Sequence, residues 1–438
     1  MSHQDTSDMH GADGVIRPTG DGERIVTLDV LRGLAIFGIL FVNIGIFGFP
    51  EGYSQIHQEL FGGAADRIIH WATQFFIEGK FYSLFSVLFG MGAAIQFERA
   101  RRRGLKFGPW YSRRLLVLLA IGLVHDVFIV TGIILITYSI VGFWLIPFLK
   151  RQTRTLLIWA GVMILIPVLV VSVFVAVKSA TKEGGVDDPT AVGSTAETEK
   201  ALDKRAAFDE QVATFGQGSY LELVRVRLGK LPESVAITIG LGTYVLGMFL
   251  IGILLWRSGW ITEPQAHRGE MQTMVAWGLS VGSLCTGGYL TVRALVTSTP
   301  PPAVVVPAVT ARMIGNMALC LGYVGVVVLA MTTHRGRRLL SPLVPVGRTA
   351  LSNYIFQSMV CATIFYRPGL GLYGTVGPAV SLAIVLATFA VQLVLSAWWL
   401  RRFRFGPVEW LWRSLTYGRR FPIRRNAPCA GSLPSVVG

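Results

Sequence analysis

The stretch RIVTLDVLRGLAIFGILFVNIGIFGF, residues 24–49, decides the fold class of this chain. A membrane-spanning helix needs about 20 mostly apolar residues in succession, and this stretch provides them after a polar start. Asp29 and Arg32 stand one helical turn apart near its beginning, and Asn43 interrupts its apolar second half. Charged and polar side chains are costly inside a bilayer and usually mark function there. The stretch therefore predicts a membrane span that contains a functional polar element.

The composition extends this prediction to the whole chain. Of its 438 residues, 52% are hydrophobic and only 15% are charged, whereas a soluble domain usually carries about 25% charged residues. The net charge of +15 would suggest a nucleic-acid partner in a soluble protein. In a membrane protein the cytoplasmic loops account for an excess of lysine and arginine. We therefore expect a protein that is embedded in membrane lipid and has no nucleic-acid partner.

Apolar runs of sufficient length predict an all-α, polytopic membrane protein with about ten transmembrane helices. Basic segments such as RARRRGLK (99–106), KRQTR (150–154) and RGRR (335–338) alternate with these runs. Because lysine and arginine collect on the cytoplasmic side, both termini are predicted to be cytoplasmic. The predicted spans cover residues 27–49, 80–98, 112–130, 133–149, 154–177, 235–256, 271–295, 308–332, 349–366 and 376–400.

A long hydrophilic stretch divides the predicted spans into two groups of five. It is expected to be an extracytoplasmic loop, in which residues 219–232 form an amphipathic helix at the interface. Residues 64–78 predict another interfacial helix between the first two spans. The predicted segments are a disordered cytoplasmic N-terminus (1–23), the first membrane half (24–177), the loop (178–230), the second membrane half with a cytoplasmic motif (231–420) and a disordered tail (421–438).

Three polar side chains are predicted at a similar depth in the membrane. Asn43 and His125 each lie eleven residues beyond a cytoplasmic arginine, which corresponds to about 16 Å of helical rise. Gln357 lies about 13 Å beyond another such arginine, and Asn353 precedes it by one turn. Histidine is the usual general base near neutral pH, so this layer could be a reaction site with Asp126 setting the local potential. Hydrogen bonds between helices are the alternative explanation for the same side chains.

Four charged residues are predicted at the cytoplasmic ends of the first and third spans. Asp29 and Arg32 are three residues apart and can form an ion pair across one helical turn. Arg113 and Arg114 begin the third predicted span at the same level. Together with Arg32 they could form a basic mouth for a phosphorylated ligand, because arginine suits the geometry of phosphate. Anchoring by the positive-inside rule would also explain these arginines.

The opposite side of the membrane offers fewer candidates. Lys80 lies at the outer end of the second predicted span and could line an extracytoplasmic vestibule, and His57 and His70 lie between the first two spans. The sequence contains no HExxH, Walker or GxSxG motif and no cluster of cysteine and histidine. We therefore expect no metal site and no tightly bound cofactor.

Five motifs carry a resemblance to a known family. The most specific is RFRFGPVEWLWRSLTYGR (402–419), and the others are RIVTLDVLRGLAIFGILFVNI (24–44), EGKFYSLFSVLFGMGAAIQFERARRRG (78–104), YSRRLLVLLAIGLVHDVFI (111–129) and GRTALSNYIFQSMV (347–360). With these motifs the chain resembles the YeiB family of bacterial inner-membrane proteins, which carry a domain of unknown function. The resemblance extends over nearly the whole chain outside the 178–215 stretch and the tails.

The first motif is also similar to the corresponding helix of transmembrane acyltransferases such as lysosomal heparan-glucosaminide acetyltransferase. Asp29, Arg32 and Gly33 match the LDxxRG element of these enzymes, and Asn43 matches their asparagine. In these enzymes a cytoplasmic acyl-CoA donates its acyl group to an acceptor on the far side, where a histidine is catalytic. The resemblance implies acyl-CoA as a co-substrate and His57 as the counterpart of that histidine, although its spacing and flanking residues differ.

His125 fits the YeiB-like motif of its own helix, but a nearby position departs from the family pattern. The family often has Gly-Asp-Ile-Leu before a tyrosine, whereas this chain has Gly132-Ile133-Ile134-Leu135 before Tyr138. If the missing acid orients the histidine in the family, Asp126 is the candidate to replace it here.

Three hypotheses follow for the function. The first is an acyltransferase of the bacterial inner membrane that moves an acyl group from acyl-CoA to an extracytoplasmic acceptor, such as a glycan, or to a lipid-linked one. The second is a transporter or flippase that uses the same polar layer without covalent chemistry. The third is a structural partner protein, and a homodimer is the candidate assembly.

Overall fold

A computed structural model describes residues 24–50, 52–132, 134–183, 195–295 and 301–425. These residues form α-helices joined by short connections, and their only β-pairing is an isolated bridge between Phe403 and Arg424. A short 3₁₀ helix, Ile146–Lys150, follows α6. The helices are α1 (Val26–Gly48), α2 (Ser54–Leu60), α3 (Ala64–Phe76), α4 (Lys80–Arg102), α5 (Phe107–Phe128), α6 (Ile134–Leu145), α7 (Thr153–Glu183), α8 (Thr195–Gln217), α9 (Tyr220–Arg257), α10 (Arg268–Leu295), α11 (Pro302–Met331), α12 (His334–Leu340), α13 (Leu343–Arg348), α14 (Ala350–Phe365), α15 (Pro378–Arg402) and α16 (Pro407–Tyr417).

Several of these helices are long and apolar enough to cross a membrane. Five segments within the described residues meet both criteria, and the two parts of the bent helix α9 meet them together as a sixth. The predicted all-α membrane protein is thereby confirmed. Each of the ten predicted spans falls on a helix, whereas the crossing of all ten and the cytoplasmic position of the termini remain predictions. The five segments are Val26–Gly48, Ala64–Arg102, Thr153–Phe174, Ala303–Met331 and Pro378–Arg402.

The hydrophilic stretch between the two halves has more helix than its composition suggested. Helix α7 continues to Glu183, and α8 occupies most of the second part of the stretch. The predicted interfacial helix 219–232 and the predicted span 235–256 form one helix, α9, because Pro232 is accommodated inside it. A proline inside a helix removes one hydrogen bond but is tolerated where packing holds the helix together.

The chain after α15 also departs from its prediction. Residues 421–425 were expected to belong to a disordered tail, but they pair with the end of α15. The amide of Arg404 donates to the carbonyl of Ile423 at 2.8 Å, and the amide of Arg425 donates to that of Arg402 at 3.0 Å. The predicted disorder of residues 1–23 and 426–438 lies outside the described residues.

Helix α1 lies at the centre of the first hydrophobic cluster and packs against α4, α13, α14 and α15. Two glycines permit the closest approach. A β-carbon on Gly347 would overlap the carbonyl oxygen of Asp29, and one on Gly33 would overlap that of Leu343. Because α13 is held against the first turns of α1, the α13–α14 junction lies beside Asp29 and Arg32.

Candidate functional site

A cavity of about 310 Å³ lies where the start of α1, the end of α4 and the start of α5 meet α16. We call it the basic cavity, because six arginines and only two acids, Asp29 and Glu409, line it. Its remaining wall is mainly apolar and includes seven aromatic residues, which suits a ligand with both anionic and planar groups. The arginines are Arg24, Arg32, Arg99, Arg114, Arg348 and Arg413, and the aromatic residues are Phe85, Phe89, Trp110, Tyr111, Tyr138, Trp412 and Tyr417.

Asp29 and Arg32 form the predicted ion pair within the basic cavity. Nη1 of Arg32 donates to Oδ1 of Asp29 at 2.9 Å. The Asp29 side chain is nearly buried, whereas a third of the Arg32 side chain is exposed to the cavity. The ion pair and the ligand-binding role are therefore compatible, because the guanidinium has donors left over for an anion.

The two adjacent arginines of α5 have different positions. The guanidinium of Arg114 lines the basic cavity and stacks on Trp412, 3.6 Å from the ring centroid. Arg113 does not line the cavity and lies beside Gly418 instead, where an added β-carbon would be 3.2 Å from its Nη2 atom. Successive residues of a helix point about 100° apart, so only one of the pair can face the cavity.

Glu409 anchors α16 beneath α14. Its Oε1 atom accepts hydrogen bonds from the amides of Leu351 at 2.6 Å and Ser352 at 3.1 Å. The Ser352 hydroxyl donates to Oε2 of Glu409 and accepts from the amide of Val408. A carboxylate at this place satisfies the free amides of the α14 N-terminus and suits the helix dipole. Burial raises the pKa of Glu409, and these donors lower it by favouring the ionised form.

His125 lies near the end of α5, almost completely buried. Its Nε2 atom lies 2.8 Å from Oγ of Ser358 on α14. The Ser358 hydroxyl also contacts the carbonyl of Tyr354 at 3.2 Å; when it donates its single proton there, Nε2 carries the proton of the neutral imidazole. Nδ1 then carries the lone pair, and no described residue forms a hydrogen bond with it. A histidine with an unoccupied acceptor nitrogen can serve as a general base.

The turn between α5 and α6 covers His125. An added β-carbon on Gly132 would lie 3.2 Å from Cε1 of the imidazole and 3.2 Å from the hydroxyl of Tyr354. Asp126 holds this turn, because its Oδ1 atom accepts a hydrogen bond from the Gly132 amide at 2.8 Å. Asp126 therefore holds the turn that covers His125 and forms no hydrogen bond with the imidazole ring. Ile133, which stands where the family often has an acid, lies outside the described residues.

Asn353 and Gln357 belong to a buried set of hydrogen bonds between α14 and α15, which we call the polar ladder. The Asn353 amide donates to Oγ of Ser396 at 2.9 Å, and Nε2 of Gln357 donates to Oε1 of Gln392 at 2.9 Å. Nε2 of Gln392 donates in turn to the carbonyl of Asn353 at 2.9 Å. Nε2 of Gln357 also donates to the carbonyl of Ile36 on α1 at 3.2 Å. These contacts match the alternative explanation by hydrogen bonds between helices.

The predicted polar layer is thus only partly assembled. His125 and Gln357 lie at one level, since His125 contacts Ser358, the next residue of α14. Asn43 is half-buried on α1, and its side-chain amide nitrogen has no hydrogen-bond partner in the described part of the chain. The structure does not join Asn43 to either of the other two residues.

Arg227 is a candidate residue that the sequence reasoning missed. It lies on α9, is 1% exposed, and has its guanidinium 4.9 Å from the ring centroid of Tyr366. Its charge acts on both His125 and Asp126. The signal available in the sequence was its spacing of four residues from the apolar Leu223, which puts both on one helix face; the structure buries both.

Lys80 lies apart from both groups, at the start of α4. Its side chain is buried, and its Nζ atom donates to the carbonyl of Gln74 at 2.8 Å. Glu78 and Arg312 form an ion pair of 2.6 Å beside it. The adjoining cavity of about 10 Å³ has room for about one water molecule. In this structure Lys80 is part of a small polar junction and does not line a wide vestibule.

A second cavity, of about 280 Å³, lies at the opposite end of α1 from the basic cavity. We call it the outer cavity. Its wall is mainly apolar, and His57 and His70 provide its titratable groups. The two imidazole rings are 5.7 Å apart, and the ring of His57 also packs edge-on against Phe49. Burial lowers the pKa of His57, as does the nearby His70, so His57 is neutral at neutral pH.

Helix α5 connects the basic cavity with His125. Leu118 lines the deep end of the cavity, and His125 follows seven residues later, which corresponds to about 10 Å of helical rise. One rigid helix therefore carries an arginine at the mouth and the buried histidine beyond the deep end.

Comparisons with known proteins identify the family of this chain. The family model described as "Protein of unknown function (DUF418)" matches residues 255–419, which include α10 to α16. The chain is 36% identical to the uncharacterized protein YxaH of Bacillus subtilis (strain 168) over 426 residues, which cover 94% of this chain and 98% of the relative. It is 30% identical to the uncharacterized protein YeiB of Escherichia coli (strain K12) over 413 residues, which cover 90% and 96%. No solved structure matches this chain significantly. The chain belongs to the YeiB-like family of proteins that carry DUF418.

Proposed function

We propose that this protein is a transmembrane acyltransferase of the bacterial inner membrane, with acyl-CoA as its donor. The observation that carries the proposal is the basic cavity with six arginines and seven aromatic residues, joined by α5 to a buried histidine that has an unoccupied nitrogen. Acyl-CoA combines phosphates, a planar base and a long arm that ends in a thioester. With the predicted orientation the basic cavity opens to the cytoplasm, where acyl-CoA is available.

The reaction assigns a separate role to each group. The arginines of the basic cavity bind the phosphates, and the arm extends along α5 so that the thioester reaches His125. Nδ1 of His125 takes the proton of the acceptor hydroxyl while the acceptor oxygen bonds to the thioester carbonyl carbon. The carbon–sulfur bond then breaks, and the sulfur leaves with the bonding electron pair and receives the proton from Nδ1. The products are an ester and CoA, and an acceptor amine would give an amide in the same way.

The acceptor is expected to come from the outer side. The apolar wall of the outer cavity suits the chain of a lipid-linked acceptor or the lipid end of a glycolipid. His57, neutral in this cavity, is the alternative base if the reaction takes place nearer the outer surface.

The donor site is tested with purified protein in lipid nanodiscs and radiolabelled acetyl-CoA. Replacing Arg32 or Arg114 by glutamine should weaken binding about tenfold each, because a charge-assisted hydrogen bond contributes about 1.5–3 kcal/mol. Arg113→Gln is the matched control and should bind like the wild type, since Arg113 does not line the cavity. A wild-type protein that does not bind acetyl-CoA would refute the proposal.

The base is tested by release of the CoA thiol in the presence of a membrane lipid extract. His125→Ala should lower turnover by a factor of about 10²–10⁴ while leaving donor binding unchanged. If His57→Ala loses turnover while His125→Ala stays active, His57 is the general base instead of His125.

The transporter hypothesis has one observation in its favour. The basic and outer cavities lie at opposite ends of α1, and the buried polar ladder lies between them. A carrier would use these cavities as two alternately open sites. Uptake of a phosphorylated solute into proteoliposomes, with no release of the CoA thiol, would favour this second candidate.

A further inference from the structure

Arg227 presents an unusual guanidinium, because it is fully buried while two of its nitrogens lack partners among the described residues. Within that part of the chain, Nε and Nη2 form no hydrogen bond, and none of the ion pairs includes this side chain. Tyr366 is a close neighbour: the ring centroid lies 4.9 Å from the guanidinium, and the Tyr366 hydroxyl also interacts with it. An arginine is always charged, and a buried charge is costly unless it is paired.

The positions of Nε and Nη2 on the guanidinium indicate which kind of partner would satisfy both. The N–H groups of Nε and Nη2 lie side by side along one edge of the guanidinium and point in the same direction. This edge is the fork that binds two oxygens of a single carboxylate or phosphate. A carbonyl oxygen could accept from both N–H groups but would leave the buried positive charge without a counter-charge.

The charge of Arg227 lies within electrostatic range of the proposed reaction site. Arg227 acts electrostatically on His125, whose Nδ1 atom is also without a partner. Asp126 is close enough to interact as well, but its Oδ1 atom is occupied by the Gly132 amide and its Oδ2 atom has no partner. Unpartnered atoms of a base, an acid and a cation thus lie within electrostatic range of one another.

We propose that the Nε and Nη2 edge of Arg227 binds an oxyanion, either a carboxylate or a phosphate, of the molecule that reaches His125. This site is separate from the basic cavity and lies on a different helix. The proposal rests on the proposed function only in assigning the oxyanion to the acyl acceptor. The acceptor is then an anionic molecule, and Arg227 holds its charged group while the neighbouring hydroxyl or amine meets Nδ1 of His125.

The direct test is equilibrium binding of radiolabelled inorganic phosphate to the full-length protein in nanodiscs, with no acyl-CoA present. The wild type should show one class of sites in the basic cavity and one at Arg227. Arg227→Gln should lose the second class, and Arg227→Lys should weaken it at least about tenfold, because an ammonium group lacks the fork. Displacement by acetate or by phosphatidic acid identifies a carboxylate or a lipid phosphate as the preferred form.

The control is Arg225→Gln, which removes an exposed arginine two residues away on the same helix and should bind phosphate like the wild type. Arg227→Lys keeps the charge and serves as the decisive variant if Arg227→Gln does not fold. Unchanged phosphate binding in Arg227→Lys and Arg227→Gln would overturn the proposal.

The competing partner is Asp126. If Asp126 alone neutralises Arg227, the double variant Arg227→Gln/Asp126→Asn should be as stable as the wild type and bind as much phosphate, and that result would also overturn the proposal. The phosphate assay contains no acyl-CoA. A protein that fails to transfer an acyl group can therefore still bind phosphate at Arg227, and a protein that fails to bind phosphate there can still transfer an acyl group.

Discussion

Arg114 and Trp412 contact each other twice, and this double contact attaches α16 to α5. The Arg114 guanidinium lies 3.6 Å from the Trp412 ring centroid, and the indole Nε1 of Trp412 donates to the main-chain carbonyl of Arg114 at 2.9 Å. Both residues line the basic cavity. The contact therefore fixes the floor of the cavity and orients one of its arginines at the same time.

Two substitutions of Trp412 should separate these contacts. Trp412→Phe keeps an aromatic face but removes the indole N–H, and should lower the free energy of unfolding by about 1 kcal/mol. Trp412→Ala removes both contacts and should lower it by about 2 kcal/mol or more, with weaker donor binding. Thermal unfolding and acetyl-CoA binding measure the two effects. Trp277→Phe, at an exposed position of α10, is the control; equal effects at both positions would contradict the assignment.

Glu409→Gln should detach α16 from α14. The variant loses the negative charge at the α14 N-terminus and can no longer accept from both amides and the Ser352 hydroxyl as the carboxylate does. The expected loss of stability is about 1–2 kcal/mol, as for the removal of a helix cap. Urea or thermal unfolding measures it, with Glu210→Gln at an exposed site of α8 as the control. A midpoint that does not change would show that Glu409 contributes no capping energy.

Two glycines of α1 should respond in opposite directions to alanine. At Gly33 the new methyl group would overlap the carbonyl of Leu343 and push α13 away, at an expected loss of about 1–3 kcal/mol. At Gly45 no atom lies within 4 Å of the new methyl group, and the higher helix propensity of alanine should stabilise α1 by up to about 1 kcal/mol. Thermal unfolding of both variants in one detergent provides the comparison. Similar shifts for both would mean that α13 does not pack on α1 as described.

His57 should make the folded protein less stable in mild acid. Burial lowers the pKa of His57 in the folded state below its ordinary value of 6.5, so the unfolded chain binds the proton more readily. Its stabilising contribution is therefore complete above 6.5 and is lost as the pH falls from 6.5 towards the folded pKa. The unfolding midpoint of His57→Phe should drop less than that of the wild type between about pH 7.5 and about pH 5.5. Parallel pH profiles would rule out this contribution.

The positions of the long helices could be predicted from the sequence because apolar length alone determines them. The merging of residues 219–232 with the next span could not be predicted. Pro232 indicated a break between the two segments, and only packing around α9 shows that the helix continues. Because residues 219–232 were predicted to form a separate interfacial helix, Arg227 was expected at the membrane interface. In the structure it lies buried on α9.

The details of the candidate site were less accessible to sequence reasoning. Hydropathy could not predict whether Arg113 or Arg114 lines the basic cavity, since this depends on which side of α5 faces α16. Glu409 and Trp412 were recognised as parts of a specific motif, but their place under α14 and α5 depends on the turn at Phe403–Gly406. Gln357 could be identified as buried, whereas its partner Gln392 is fixed by the pairing of α14 with α15.

The polar ladder also has a mechanical consequence. Its hydrogen bonds run from Asn353 to Ser396 and through Gln392 to Gln357, which is attached to α1 at Ile36. Sliding α15 along α14 would break these bonds together, in surroundings where water cannot replace them. Helices α14 and α15 should therefore move as one rigid body.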